Sequence, residues 1–155
     1  MKPVFTRANA SDADELVELM REFYAFEHIA FDEKAARGAL GQILSDRRFG
    51  IVHLIHGAGA KAAAGYLVIT FGFSLEFHGR DAFVDELFLR ENFRGHGIGR
   101  ASIEFAAEVC RGEGIAALHL EVERGNTRAL GLYRRAGFRD HDRYLLTKWL
   151  SAGQD

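Results

Sequence analysis

Residues 94 to 100 read Arg-Gly-His-Gly-Ile-Gly-Arg, with glycine at every second position, between a strand-like run (82–90) and a helix-like run (101–114). Glycine lacks a Cβ, so it lets another group come close to the main chain. At the start of a helix that backbone also carries unpaired N–H groups and a partial positive charge, which suits the junction to an anion such as a phosphate. Tight strand-to-helix packing alone would use glycine in the same way. The flanking residues must separate the two readings.

A phosphate loop of the ATPase type needs Lys followed by Ser or Thr after its glycines, and here Arg100 and Ala101 stand there. A dinucleotide fingerprint counted from Gly95 puts Arg100 where a third small residue belongs, and it expects the motif near the first strand. Glu121 and Glu123, at the end of the next strand-like run, imitate its ribose-binding acid, so that reading is weakened and not removed. The remaining pattern is Arg94-x-x-Gly97-x-Gly99 after the apolar run 84–89. It resembles the signature of the GNAT superfamily of acyl-CoA-dependent N-acyltransferases. A second stretch, 126–138, resembles that family's later signature through Asn126, Ala129, Leu132, Tyr133, Gly137 and Phe138.

The rest of the chain is compatible with this. Its 155 residues suit one domain spanning 1–155, and 48% hydrophobic with 27% charged residues is the balance of a packed globular protein. A formal charge of −2 offers no basic field for nucleic acid. No apolar run approaches the ~20 residues of a membrane span, and the first residues lack a leader's apolar stretch, so a cytoplasmic location is expected. The single cysteine, Cys110, falls in a helical run and reads as a small core hydrophobe.

In chain order, 4–8 reads as a strand. A helix follows, with Ser11 and Asp14 placed as a capping box and Leu16, Leu19, Met20 and Phe23 on one face. A second helix is expected from Asp32 to about Arg48, although Gly38 and Gly41 weaken it. Next come a hairpin around 57–61, a long strand over 82–90, the helix after the glycines, a strand over 115–123, a short helix ending at Gly137, and a closing strand over 143–150. This order suggests an α/β fold: a mixed central sheet with helices on both faces.

The resemblance implies more than periodicity does. It implies that the strands at 82–90 and 115–123 run parallel and splay apart to receive acetyl-CoA. Pantetheine would pair with the main chain of Leu87, Phe88 and Leu89. The pyrophosphate would rest on the N–H groups of Arg94, Gly95, His96, Gly97, Ile98, Gly99 and Arg100. Asn126 matches a family residue that contacts the cofactor, though Asn is equally at home as a helix N-cap.

Transfer of an acyl group to an amine needs an uncharged nitrogen, support for the oxyanion and a proton for the departing thiolate. An alkyl ammonium titrates near ~10.4, so a carboxylate must help deprotonate it at neutral pH. Asp85 and Glu86 lie on the strand before the glycine turn, and strict alternation would send them to opposite faces. By position Asp85 matches the acid that diamine and amino-sugar acetyltransferases of the superfamily carry there, and Glu86 is the second candidate. Tyr133 is the expected acid for the thiolate.

The family builds its acceptor pocket from the first two helices and the loop before the long strand. Here those segments hold Tyr24, Glu27 and His28, then Ser74, Glu76 and His78. Tyr24, Glu27, Glu76 and Asp85 are therefore expected to meet the substrate, a primary amine of a small molecule. A diamine or polyamine fits a loose resemblance of 69–89 to the diamine acetyltransferases. An amino acid, an aminoglycoside, or a protein N-terminus or lysine would suit the same chemistry, and a CoA-binding sensor without turnover is the alternative of another class. Homodimers are common in the superfamily, and no residue here marks an interface. His53 and His56 make a poor metal pair on a strand, Ser74 lacks a nucleophile elbow, and no metal is expected.

Overall fold

The computed structural model describes residues 2–151. Strand β1 (Val4–Arg7) is followed by a single 3-10 turn (Ala10–Asp12) and helices α1 (Ala13–Phe26) and α2 (Glu33–Ser45). Strands β2 (Gly50–His56), β3 (Gly65–Ser74) and β4 (Gly79–Leu89) come next, then α3 (Ile98–Gly112), β5 (Ala117–His119) and α4 (Thr127–Arg135). Neighbouring strands are consecutive in sequence; β1 to β4 pair antiparallel, and β5 joins β4 in parallel.

The mixed sheet is covered on both faces, as expected. Leu16, Val17 and Leu19 of α1 and Leu40 of α2 pack with Val52, Leu54, Tyr66, Val68 and Phe88 on one face. Ile98, Ala106 and Cys110 of α3 pack with Ile55, Leu67, Ile69 and Ala82 on the other. Double coverage explains why β2 and the first half of β3 are buried almost without a break rather than alternately.

Parallel pairing of β4 with β5 runs from Asp81 opposite Ala117 to Phe83 opposite His119 and stops there. From Val84 to Leu89 the β5-facing edge of β4 has no sheet partner among the described residues, which is the splay that the resemblance implied.

Three local expectations need correction. The capping box is made by Asn9 and Asp12, not Ser11 and Asp14: the chain makes a 3-10 turn first, and the Asn9 side chain accepts from Ser11 while its own N–H meets Asp12. The strand expected over 115–123 is ordered as strand only over Ala117–His119, because β4 turns away beyond it. The closing strand over 143–150 does not form: the segment has strand composition but no backbone partner among the described residues.

Candidate active site

The open edge of β4 is also where its regular alternation breaks. Val68 of β3 faces Glu86, but the next residue, Ile69, faces Val84, so Asp85 is an extra, bulged residue without an opposite number. A bulge of this kind turns consecutive side chains toward the same side. Glu86 lies with Tyr66 and the α1 helix, and the charge of Asp85 reaches Glu86, Tyr24 and Tyr66 closely enough to raise the pKa of each. The expectation that the two acids point to opposite faces is therefore corrected, and the bulge is the reason.

Glu86 is held by two phenols. Tyr24 donates to one carboxylate oxygen at 2.7 Å and Tyr66 to the other at 2.9 Å. Burial pushes the Glu86 carboxyl up from its ordinary range, the two hydrogen bonds pull it down, and the Asp85 charge pushes it up again, with burial prevailing. The same burial, with the neighbouring acids, raises both phenols, so Tyr24 and Tyr66 remain protonated donors. Asp85 has no hydrogen-bond partner among the described residues. Its side chain is open to solvent at the edge of the sheet, yet the surrounding protein still raises its carboxyl.

Below these acids the strand enters a cleft of about 420 Å³ lined by Glu22, Phe26, Phe88, Arg90, Glu91 and Arg94. Arg90 grips Glu22 with two hydrogen bonds of 2.9 and 2.7 Å and donates to the Ala63 carbonyl at 2.9 Å. Arg94 donates to the Leu89 carbonyl at 2.7 Å, and its guanidinium lies 4.1 Å from the centre of the Phe26 ring. Arg94 is thus committed to the cleft wall, and the Leu89 carbonyl expected to meet pantetheine already has a donor.

The glycine turn has the geometry of an anion site. Gly95 and Gly97 adopt φ of 78° and 79°, the left-handed backbone that a Cβ makes costly, and Gly97 is the N-cap of α3. From Gly95 to Arg100 no backbone N–H has a main-chain or side-chain partner among the described residues; the first paired one is Ala101, to Gly97. His96 is exposed, so its contribution to this row is its backbone.

Tyr133 comes from α4 and is half-buried; burial raises its phenol first and the Glu27 charge adds to this, which sets the end of α1 close to α4. Its hydroxyl has no protein partner among the described residues, so its proton is available to another group. Asn126 is an N-cap, accepting from the Ala129 N–H at 3.1 Å. Glu76 is not brought to the acids. It lies in the β3–β4 turn at the other end of the strand and holds Arg143 through two bonds of 2.8 Å. Ser74 and His78 lie at that turn too.

Tyr66, Glu22 and Arg90 were not among the expected site residues. A tyrosine inside the otherwise apolar run 63–69 was the available signal for Tyr66, since a buried phenol needs a partner.

Comparisons with known proteins agree with this geometry. The family model described as "Acetyltransferase (GNAT) family" matches residues 13–138. Bovine (Bos taurus) thialysine N-epsilon-acetyltransferase is 27% identical over 144 residues, covering 86% of this chain and 82% of that protein. Mycothiol acetyltransferase of Jonesia denitrificans is 39% identical over 70 residues, but the match spans only 45% of this chain and 22% of that one. Among solved structures, an integron cassette protein from the mobile metagenome of Cole Harbour Salt Marsh superposes with a TM-score of 0.83 at 36% identity, covering 95% of this chain and 90% of that one. A predicted acetyltransferase from Clostridium acetobutylicum, solved with acetyl-CoA, has a TM-score of 0.79 at 16% identity, covering 95% and 96% of the two chains, a likeness of fold.

Proposed function

The chain belongs to the acetyltransferase (GNAT) family and is an acyltransferase, and from that premise we propose that it moves an acetyl group from acetyl-CoA to a primary amine of a cationic small molecule. The observation that carries the substrate half is the pair Asp85 and Glu86, turned to one side by the bulge at the open edge of β4. Two carboxyls there suit an ammonium better than a neutral or anionic acceptor. The bovine relative, named for an ε-nitrogen of thialysine, is in keeping with an amine of this kind.

The residues present fit the cofactor. The free N–H row from Gly95 to Arg100 suits the pyrophosphate, and the unpaired edge of β4 from Val84 to Leu89 suits an amide-bearing arm that adds itself as a strand. When bound, the acetyl thioester supplies the activated acyl carbon. Glu86, fixed by Tyr24 and Tyr66, holds the acceptor ammonium in place, because its oxygens are already oriented. Asp85, free of partners and with a raised pKa, accepts the proton that the nitrogen must lose. Tyr133, whose hydroxyl proton has no protein acceptor, donates to the departing sulfur. The amine class, whether diamine, polyamine or amino acid, is set by what the far end of the molecule meets around Glu22 and Glu27.

The test is incubation of the purified chain with acetyl-CoA and a panel of diamines, amino acids, aminoglycosides and peptides, with thiol release and product mass followed together. Turnover confined to cationic small amines is expected. Turnover with peptides alone would replace the substrate assignment, and tight acetyl-CoA binding without turnover on any amine would favour a sensor.

A further inference from the structure

Consecutive residues of α1 meet alternate positions along β4 and the residue that follows it. Phe23 points down onto the sheet, its ring 5.5 Å from that of Phe88 and 6.3 Å from that of Tyr66. Tyr24 reaches Glu86 at 2.7 Å, and Glu22 reaches Arg90 at 2.9 and 2.7 Å. Successive side chains of an α-helix leave its axis about 100° apart, so Glu22 and Tyr24 stand on opposite flanks of Phe23. Rings resting on rings do not fix the roll of a helix about its own axis; directional bonds on the flanks do.

The flank that carries Tyr24 tolerates little roll. A side-chain tip lies about 6 Å from the helix axis, so a roll of about 10° moves it by about 1 Å. The phenol sits 2.7 Å from the carboxylate, and such O–H···O bonds extend only to about 3.0 Å. A small roll would cost Glu86 one of the two donors that orient its oxygens. The other flank is built to resist that motion. Arg90 presents a planar fork to Glu22 and is itself anchored, donating from Nη1 to the Ala63 carbonyl at 2.9 Å and from its backbone N–H to the Ala64 carbonyl at 2.8 Å. Glu15, two turns earlier on the same stripe of α1, accepts the Ala63 N–H at 3.0 Å. The Arg90 and Glu22 side chains are 30% and 41% exposed, where an ion pair adds little stability. A bidentate fork nonetheless fixes an angle as well as a distance.

We propose that Arg90 and Glu22 are positioning residues for the Glu86 carboxylate: their fork sets the roll of α1, and that roll holds Tyr24 on Glu86. Their place in the reaction rests on the reading of Glu86 as the anchor of the acceptor ammonium, whereas the first test below does not.

That test follows the Glu86 carboxyl by carbon-13 NMR as pH is varied, its signal assigned by its loss in Glu86→Gln. Tyr24→Phe removes the phenol outright and supplies the reference; the bond favours the ionised carboxylate, so the Glu86 titration should move further up, with Asp85 and Tyr66 still in place. Arg90→Met and Glu22→Ala should each move it in the same direction, and neither should move it further when combined with Tyr24→Phe. Arg90→Lys, which keeps the charge without the fork, should fall between Arg90→Met and the wild type. A titration unmoved by Arg90→Met and Glu22→Ala, or moved equally in the Tyr24→Phe background, overturns the proposal. Kinetics use the amine that the panel turns over fastest: kcat/KM for it should fall about ten- to a hundredfold in Arg90→Met, while acetyl-CoA affinity by calorimetry holds within about twofold. An equal loss of acetyl-CoA affinity would mean general loosening and overturns the positioning role. Arg90→Met leaves Glu22 in the cleft, so a defect confined to Glu22→Ala would mean that Glu22 meets the amine directly, which overturns it too. If no amine is turned over, the functional reading fails and the titration still decides the clamp. Should Arg90→Met not fold, Glu22→Ala and Arg90→Lys carry the same comparison.

Discussion

Replacing Asp85 by Asn tests the central chemical claim, because the amide keeps the shape of the side chain and cannot accept the proton. An alkyl amine with a pKa of ~10.4 is neutral in only about one molecule in ~10³ at pH 7.4. With Asp85 in place the ammonium form is productive, since its proton passes to a carboxylate that no protein group occupies. Without it, only the neutral fraction of the amine reacts. The rate at pH 7.4 should therefore fall by about 10³, within the ~10²–10⁴ that general base catalysis supplies. The pH dependence is the sharper readout. The wild-type enzyme should level off above the raised titration of Asp85, whereas Asp85→Asn should gain about tenfold per pH unit up to the amine's own pKa. The ratio between the two then shrinks by the same factor per unit. Thiol release under saturating acetyl-CoA, measured from pH 6 to pH 10, follows both curves. An Asp85→Asn profile that keeps the wild-type shape and differs only in KM would refute the reasoning and leave Asp85 as an ammonium anchor. Transfer of the altered profile to Glu86→Gln would assign the proton to the carboxylate between the tyrosines.

Tyr133→Phe should lower kcat by about ten- to a hundredfold, at or below the usual ~10²–10⁴ range for an acid-base group, with acetyl-CoA affinity held by calorimetry; unchanged turnover would remove its role as acid. Gly65 approaches β4 so closely that an added Cβ would stand 1.9 Å from the Phe88 carbonyl oxygen. Gly65→Ala should therefore destabilise the chain on the order of 3 kcal/mol in urea unfolding, and a loss under ~1 kcal/mol would mean that the strands can part locally. Gly97→Ala, at φ of 79°, should cost about 1–2 kcal/mol and weaken coenzyme A binding; normal binding would move the pyrophosphate elsewhere. Glu86 has a folded-state pKa above its ordinary value, so the folded chain holds its proton to higher pH than the unfolded one. Stability from this group is present below the ordinary glutamate range and is lost as pH rises through the raised value. Glu86→Gln should remove that loss, and parallel urea midpoints for the two proteins from pH 4 to pH 8 would contradict it.

What the sequence showed of this site depended on whether a residue's job is local. The glycine turn was legible because left-handed backbone and a helix start are written in the residues themselves: Gly97 caps α3 and Gly95 has positive φ. The apolar faces of α1 and α3 were legible for the same reason. The closing strand over 143–150 was read correctly as strand composition and wrongly as a strand in this chain, because a strand needs an edge and the residues do not say whose. Glu76 was drawn toward the site by its place in the loop before β4, where the resemblance implies part of the acceptor pocket, but that loop lies at the far end of β4 from Glu86 and its carboxylate is held by Arg143. Tyr66 was passed over because a buried phenol resembles core until its partner is known.

Asp85 and Glu86 show why alternation failed where the chemistry sits. A period of two is a property of a regular ladder, and one inserted residue reverses it for everything that follows. The insertion lies between Val84 and Glu86, two residues beyond the last pair that β4 makes with β5, Phe83 with His119. A bulge sharpens the local twist of its strand, so the residue that sets two carboxyls side by side is also placed to swing β4 away from β5 and bare its edge. One irregularity then accounts for both halves of the proposed site, the acids that meet the amine and the open backbone that meets the cofactor. Removing Asp85 altogether, rather than replacing it, should restore the alternation and lengthen the β4–β5 ladder past His119. Its measure is the number of cross-strand contacts in nuclear Overhauser spectra beyond Phe83. A ladder that still ends there would show that the splay has another cause.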